Sequence, residues 1–200
     1  MSHDRFPNLQ VSLPAWVTEL VPANDHRYDD DEKKMRLVLD LARENVRRGE
    51  GGPFGAAVFD GDSGRLIAPG INMVVATKWS GAHAEMVAIG IAQQTMGTFD
   101  LGAEGMPRME LVSSTEPCSM CLGATLWTGV RRLVCGARGE DAEAIGFDEG
   151  PKPVAWVAEL ERRGIVVTRD VLRDEGRGVL EAYRDAAGII YNGRGADAAR

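Results

Sequence analysis

Residues 116–121 read Glu-Pro-Cys-Ser-Met-Cys and open a predicted helix, and residues 82–85 read Ala-His-Ala-Glu at the start of an earlier one. Zinc takes imidazole nitrogen and thiolate sulfur in tetrahedral geometry, and a catalytic zinc site uses three protein ligands and leaves the fourth position for water. His83, Cys118 and Cys121 supply that number and those types of donor. Helix N-termini favour negative charge, which suits thiolates placed there. The two stretches together predict one zinc site built from two helix starts.

Glu85 lies two residues after His83, close enough to face a water molecule at the metal without ligating it. A carboxylate in that place can take a proton from the water and pass it to a ring nitrogen and a leaving amine. The order H-x-E followed by P-C-x-x-C is the signature of zinc-dependent base deaminases. The residues therefore predict hydrolytic deamination of a nucleobase-like ring.

Two other interpretations of the cysteines stay open. A structural zinc module would need a fourth protein ligand, and Cys135 is the only other cysteine in the chain. The apolar surroundings of Cys135 favour a buried strand thiol instead. A thioredoxin-like redox role for the C-x-x-C pair would leave His83 and Glu85 without a task.

The composition is that of one ordinary globular domain. The chain has 200 residues, of which 44% are hydrophobic and 26% charged, and this length favours one core over two. No apolar run approaches the about 18 residues of a membrane helix, and the first ten residues lack the layout of a secretory signal. The net charge of −7 argues against a nucleic-acid partner. With free cysteines and no export signal, the cytoplasm is the expected compartment.

Alternating helix and strand patterns predict an α/β fold. Apolar residues at helical spacing mark residues 35–48 as an amphipathic helix, which the glycines at 49–52 end. Further helices are predicted at residues 82–96, 118–127, 154–163 and 178–187, and strands at 54–59, 65–68, 71–76, 109–113, 131–137 and 165–168. Residues 1–30 carry three prolines and an acidic cluster. We expect them to form an irregular arm before a domain at 31–192 and a tail at 193–200.

Longer stretches around these motifs resemble the cytidine-deaminase-like superfamily. Residues 51–56 read GGPFGA, residues 83–85 HAE, residues 116–124 EPCSMCLGA and residues 144–149 AIGFDE, and together they are similar to the bacterial guanine deaminase branch. The resemblance runs from about residue 35 to residue 192. It implies a three-layer α/β/α sandwich around a mixed five-stranded sheet, a homodimer, a zinc cofactor and hydrolytic loss of an exocyclic amine.

The resemblance also implies roles for the charged residues. His83, Cys118 and Cys121 would hold the zinc, and Glu85 would be the proton shuttle. Glu149 matches a second acidic position of the guanine branch, where many relatives have aspartate, so its reach is one methylene longer. Without the resemblance, its place beside Gly-Pro would indicate a solvated loop acid.

Substrate-binding positions are implied as well. Asn72 matches an asparagine that contacts the ring, Phe54 and Trp127 match apolar or aromatic positions of the base pocket, and Ala84 lies within the HAE triplet beside it. Tyr191 is the candidate for an aromatic near the C-terminus that closes the pocket. From the residues alone, Phe54 and Trp127 could be core aromatics, and Asn72 could close a turn.

These features predict a zinc-dependent aminohydrolase that acts on a small purine base, converting guanine to xanthine and ammonia, with no membrane partner. Ammeline or another amino-triazine, or guanosine, are alternative substrates because similar pockets accept isosteres with small energy differences. Deamination of tRNA adenosine is a further alternative, against which the negative charge and the lack of a basic cluster near the C-terminus count. The alternative outside the enzymes is a structural zinc module that binds a partner.

Overall fold

The chain alternates strands and helices around one sheet. The computed structural model describes residues 7–21 and 26–193. Within these residues the helices are α1 (Ala15–Leu20), α2 (Asp31–Arg48), α3 (Val74–Thr77), α4 (Ala84–Met96), α5 (Ser119–Thr125), α6 (Gly139–Glu143), α7 (Trp156–Glu161) and α8 (Arg173–Asp185), and the strands are β1 (Gly55–Asp60), β2 (Arg65–Ile71), β3 (Met109–Thr115), β4 (Arg132–Ala137) and β5 (Val166–Thr168). No helix in this part of the chain has the length and apolar character needed to cross a membrane.

The five strands form one mixed sheet in the order β2-β1-β3-β4-β5. β1 pairs antiparallel with β2 and β3, whereas the β3–β4 and β4–β5 pairs are parallel. Every residue of β1 is buried, and its side chains alternate between the two faces of the sheet. Ala57 and Phe59 enter the core cluster under α2, and Ala56 and Val58 enter the cluster under α4 and α7. The predicted α/β sandwich with a mixed five-stranded sheet is confirmed.

Helix α2 covers the sheet on one face and has clear end signals. Asp30 caps its N-terminus by accepting a hydrogen bond from the Lys33 backbone N–H at 2.7 Å, and Gly49 ends it in the left-handed conformation at φ 67°. On the inner face, the buried Lys34 ammonium lies 2.6 Å from the Glu110 carboxylate on β3. Because a buried charge without its partner is costly, this pair fixes the position of α2 along the sheet.

Three local predictions differ from the structure. Residues 74–77, predicted as extended, form the short helix α3, because the Asn72 side chain accepts a hydrogen bond from the Val74 backbone N–H and turns the chain. Helix α6 was not predicted. It is only five residues long and depends on Asp141, which caps it and pairs with Arg173. Helix α8 begins at Arg173, five residues before the predicted start.

The described part of the N-terminal arm packs on the domain. Trp16, Val17 and Tyr28 are buried in the same core cluster as α2, and the Trp16 indole N–H donates to Glu50 at 2.7 Å. Residues 1–6 and 22–25 of the predicted arm, and the predicted tail from residue 194 onward, lie outside the described residues.

The fold brings the two motif-bearing helix starts to one end of the sheet. Helix α5 begins just after the carboxyl end of β3, and α6 follows the carboxyl end of the parallel strand β4. Helix α4 packs closely on β2, where a Cβ at Gly70 would stand 2.3 Å from the Ala84 carbonyl oxygen. Because ligand sites in such sheets form at the carboxyl ends of parallel strands, this end is where a site is expected.

Candidate zinc and substrate site

Three metal-ligating side chains converge at the starts of α4 and α5. His83 is the N-cap residue of α4, Cys118 is the N-cap residue of α5, and Cys121 follows in the first turn of α5. The His83 Nδ1 atom lies 3.5 Å from the Cys118 sulfur and 3.6 Å from the Cys121 sulfur. Tetrahedral zinc with ordinary Zn–N and Zn–S bonds sets nitrogen and sulfur about 3.6 Å apart. The donors therefore fit a zinc ion, and the predicted zinc cofactor is confirmed.

The protonation of the donors also suits a cation. A hydrogen bond from the Cys121 thiol, followed by one from His83, lowers the pKa of Cys118 to about 4 despite burial. The same contact with the Cys118 thiolate raises the pKa of Cys121. Burial, the largest single influence, lowers the pKa of His83, but the hydrogen bond with the Cys118 sulfur and the negative charges of Glu85, Cys118 and Glu149 together outweigh it and raise that pKa. Protons shared among these groups are those that a metal ion displaces when it binds.

The ligand set has three members. Among residues 7–21 and 26–193, the group of closely spaced histidine, cysteine and carboxylate donors consists of His83, Cys118 and Cys121. Cys135 is a free thiol buried on β4 within the core cluster under α4. The donor count is that of a catalytic zinc site with one open position, which is a poor fit to a structural zinc module.

Glu85 lies in the first turn of α4 and is buried next to the metal ligands. The Ser113 hydroxyl on β3 donates to its Oε1 atom at 3.3 Å. Burial, and then the charge of Cys118, raise the pKa of this carboxyl above its ordinary value. A carboxyl with a raised pKa accepts a proton more readily than an ordinary glutamate, as a general base must.

Glu149 provides a second buried carboxyl at the same cavity. Burial raises its pKa to about 8, although nearby Lys152 acts in the opposite direction. Its backbone carbonyl accepts hydrogen bonds from the Ser119 N–H at 2.9 Å and the Ser119 hydroxyl at 3.1 Å. Its Oε2 atom has no hydrogen-bond partner among the described residues. Glu85 faces the cavity from α4, and Glu149 faces it from the segment between α6 and α7.

A cavity of about 190 Å³ joins these groups. Its lining residues come from five segments of the chain: Phe54, Asn72, Val74, Ser80, His83, Glu85, Glu116, Cys118, Phe147, Asp148, Glu149, Tyr191, Asn192 and Gly193. Three aromatic rings form one wall: the Phe147 ring lies 5.0 Å from both the Phe54 and the Tyr191 ring centroids, and the Tyr191 ring lies 6.3 Å from the His83 ring. The space is concave, partly aromatic and carries convergent polar groups, as small-molecule sites do.

Asn72 presents a free donor to this cavity. Its Oδ1 atom accepts the backbone N–H groups of Gly52 and Val74 at 3.4 and 3.3 Å. Its buried Nδ2 atom has no hydrogen-bond partner among the described residues. Because buried polar groups are normally paired, the amide is poised for an acceptor that a bound ligand would bring.

The structure brings Phe54, Asn72 and Tyr191 to the cavity, whereas two other predicted substrate-binding residues, Ala84 and Trp127, lie outside its lining in the single chain. The Ala84 side chain is buried in the core cluster under α4 and does not line the cavity. Trp127 is 83% exposed and lies beyond the end of α5, outside the cavity. Helical spacing does not tell which face of so short a helix meets a pocket.

Seven lining residues were not predicted: Val74, Ser80, Glu116, Phe147, Asp148, Asn192 and Gly193. Glu116 precedes the Pro-Cys motif, and Phe147 and Asp148 share the segment that contains Glu149, so the motifs contained a signal for three of them. The sequence contained no signal for Asn192, because its contacts with residues 146–148 span more than forty positions of the chain.

Comparisons with known proteins agree with this site. The cytidine and deoxycytidylate deaminase zinc-binding region matches residues 28–137. Guanine deaminase of Bacillus subtilis is 37% identical over 118 residues, which cover 59% of this chain and 71% of that protein.

Two solved structures extend the likeness over most of the chain. The structure of NE0047 in complex with 2,6-diaminopurine superposes with a TM-score of 0.85 at 49% identity, covering 94% of this chain and 98% of the other. A guanine deaminase structure from Nitrosomonas europaea gives a TM-score of 0.84 at 48% identity, covering 89% and 97%. The chain belongs to the cytidine and deoxycytidylate deaminase zinc-binding family, in its guanine deaminase branch, and is a hydrolytic deaminase.

Proposed function

We propose that the protein hydrolyses guanine to xanthine and ammonia. One water molecule is consumed: its oxygen bonds to ring carbon C2, and the bond from C2 to the exocyclic nitrogen breaks. The observation that carries this proposal is the placing of three zinc donors and two buried carboxyls, Glu85 and Glu149, around one small cavity. Similarity to a guanine deaminase over most of the chain supports the substrate.

Glu85 is the proton carrier in this proposal. His83, Cys118 and Cys121 would hold the zinc, which when bound supplies a Lewis acid that activates water for attack at neutral pH. Glu85 takes a proton as the water oxygen attacks, and it returns that proton to a ring nitrogen or to the departing amine. Its burial and raised pKa suit a group that must hold a proton between these two steps.

Glu149 and Asn72 orient the ring in the same proposal. Guanine carries its amine between two ring nitrogens, so a second acid on the amine side can manage the protons there, and Glu149 has an unpaired carboxylate oxygen for this task. The unpaired Asn72 amide N–H suits an acceptor at the far edge of the base. The rings of Phe54, Phe147 and Tyr191 then contact its faces and edges.

A substrate panel tests the proposal. Zinc-loaded protein is assayed for ammonia release from guanine, guanosine, adenine, cytosine and ammeline, with tRNA in a parallel filter-retention assay at physiological salt. We expect guanine to have the highest kcat/KM, by at least about 10-fold over ammeline and guanosine, and we expect no tRNA retention. A higher value for ammeline or guanosine would change the assigned ring, and absence of ammonia release from all five would contradict the proposal.

We also propose a homodimer in the cytoplasm. Support for the dimer comes from an apolar patch of exposed residues on α5 and just after it, Met120, Leu126 and Trp127, because exposed apolar patches mark interfaces. Support for the compartment comes from three free cysteines.

The patch gives a prediction about assembly. We expect Trp127→Glu to convert a dimer to a monomer in analytical ultracentrifugation, because a charge at the centre of an apolar interface is costly. Val166→Glu, an equally drastic change at an exposed valine on β5, should leave the dimer intact. A wild-type protein that sediments as a monomer, or a Trp127→Glu protein that remains dimeric, would contradict the proposed interface.

A further inference from the structure

Lys152 lies between the zinc-ligand helix and the second carboxyl. Its ammonium donates a hydrogen bond to the Pro117 carbonyl oxygen at 3.1 Å, directly before the ligand Cys118. The same ammonium lies 3.6 Å from Glu149 Oε2. The Lys152 side chain is only 15% exposed, so solvent screens this contact weakly. The Lys152 ammonium therefore contacts both the segment that carries the zinc ligand Cys118 and the carboxyl group of Glu149.

The Glu149 side chain has few other groups to hold it. The hydrogen bonds from Ser119 act on its backbone carbonyl, not on its carboxylate. Its Oε2 atom has no hydrogen-bond partner among residues 7–21 and 26–193. The Lys152 ammonium is the salt-bridge partner that the structure places beside this carboxyl, and its attraction to the Oε2 atom favours the side-chain orientation seen here.

The place that Lys152 occupies is shaped by its neighbours. A Cβ at Gly139 would stand 2.8 Å from the Lys152 ammonium nitrogen, so the glycine leaves the space that the ammonium fills. The Gly139 backbone N–H donates to Glu116 Oε2 at 3.1 Å, and the other oxygen of Glu116 pairs with Arg169 at 2.5 Å. Gly139 beside the ammonium is therefore held by Glu116, which is itself held by Arg169.

We propose that Lys152 is a positioning residue for Glu149: by binding the Pro117 carbonyl and the Glu149 carboxylate together, it sets the distance between the second acid and the zinc-ligand helix. The inference rests on the proposed function, because the acid that it positions is the second acid of deamination. Lys152 itself does not line the cavity and makes no contact with substrate in this proposal.

Substitution of Lys152 tests the inference. We expect Lys152→Met to lower kcat for guanine by on the order of 10- to 100-fold, the scale expected for a catalytic group misplaced by about 1 Å, with little change in KM and with zinc still bound. Lys152→Arg keeps the charge and should retain most of the activity. Gly139→Ala displaces the ammonium without changing any charge and should give a smaller loss. Lys33→Met, at an exposed lysine on α2, is the matched control and should change nothing.

A double-mutant cycle separates positioning from a merely structural effect. If Lys152 acts through Glu149, Lys152→Met should change kcat by less than about 2-fold when Glu149 is already glutamine. Equal losses from Lys152→Met in both backgrounds would overturn the inference, as would full activity of Lys152→Met.

A second readout does not depend on activity. In the crystal structure of zinc-loaded Lys152→Met, the Glu149 carboxylate should be displaced by about 1 Å or more, and an unchanged carboxylate would also overturn the inference. If the wild-type protein releases no ammonia from guanine, the proposed function fails while the displacement of Glu149 still decides the role of Lys152.

Discussion

Glu85→Gln leaves the protein folded and loaded with zinc but almost without turnover. Glutamine keeps the size of the side chain and can still accept the hydrogen bond from Ser113, but it cannot take a proton from water. We expect kcat for guanine to fall by on the order of 10²- to 10⁴-fold, the range of general acid–base catalysis. Zinc content should stay at the wild-type value, because Glu85 is not among the three donors.

The measurement is steady-state ammonia release combined with elemental analysis of the same protein sample. Glu104→Gln, at an exposed loop position, is the matched control and should match the wild type. Turnover within about 3-fold of the wild type in Glu85→Gln would assign the proton transfer to another group, since removal of a general base costs far more. A simultaneous loss of zinc would indicate that Glu85 ligates the metal.

Removal of zinc is expected to affect both activity and stability. The donors His83, Cys118 and Cys121 lie at the starts of α4 and α5, so a bound ion links these two helices. Binding at a thousandfold excess over Kd stabilises a fold by about 4 kcal/mol. For a chain of this length, the loss of that contribution lowers Tm by roughly 10 °C.

Chelator-treated protein should therefore be inactive and melt at a lower temperature in calorimetry. Added Zn²⁺ should restore both the activity and the melting temperature. Mg²⁺, which prefers oxygen ligands, should restore neither. Cys121→Ser should reproduce the chelated protein. Cys135→Ala, which alters the buried thiol on β4, should keep one zinc per chain. Loss of zinc from Cys135→Ala would make that thiol a fourth ligand and support the structural-module alternative.

The sheet and the long helices could be predicted from the sequence because they depend on local patterns. The apolar spacing and end signals of residues 35–48 predict α2, and the apolar run at residues 54–59 predicts β1. A glycine inside a helix is unfavourable by propensity alone, so Gly176 does not signal the first turns of α8 in the sequence. In the structure Gly176 instead permits close packing, since a Cβ there would stand 3.1 Å from backbone atoms of Ser114 and Ala137.

Some parts of the candidate site could likewise be predicted from the sequence, and others could not. The zinc donors and Glu85 were predicted because each motif is contiguous in the chain, and the fold needs only to bring two helix starts together. The environment of Glu149, by contrast, depends on residues distant in the sequence, such as Ser119 and Gly139, which the tertiary fold brings beside it. Trp127 lies on an exposed surface of the chain, and the sequence does not distinguish an aromatic of a pocket from one on such a surface.

The site draws on two kinds of structural support. Its metal donors sit on helices seated against the sheet, whereas Phe147, Glu149 and Tyr191 come from connecting segments. Water activation and ring selection consequently reside on separable pieces of chain. Retargeting this scaffold to another heterocycle would call for changes in residues 146–152 and 189–193 and at the ring contacts Phe54 and Asn72, while the zinc donors and Glu85 stay in place.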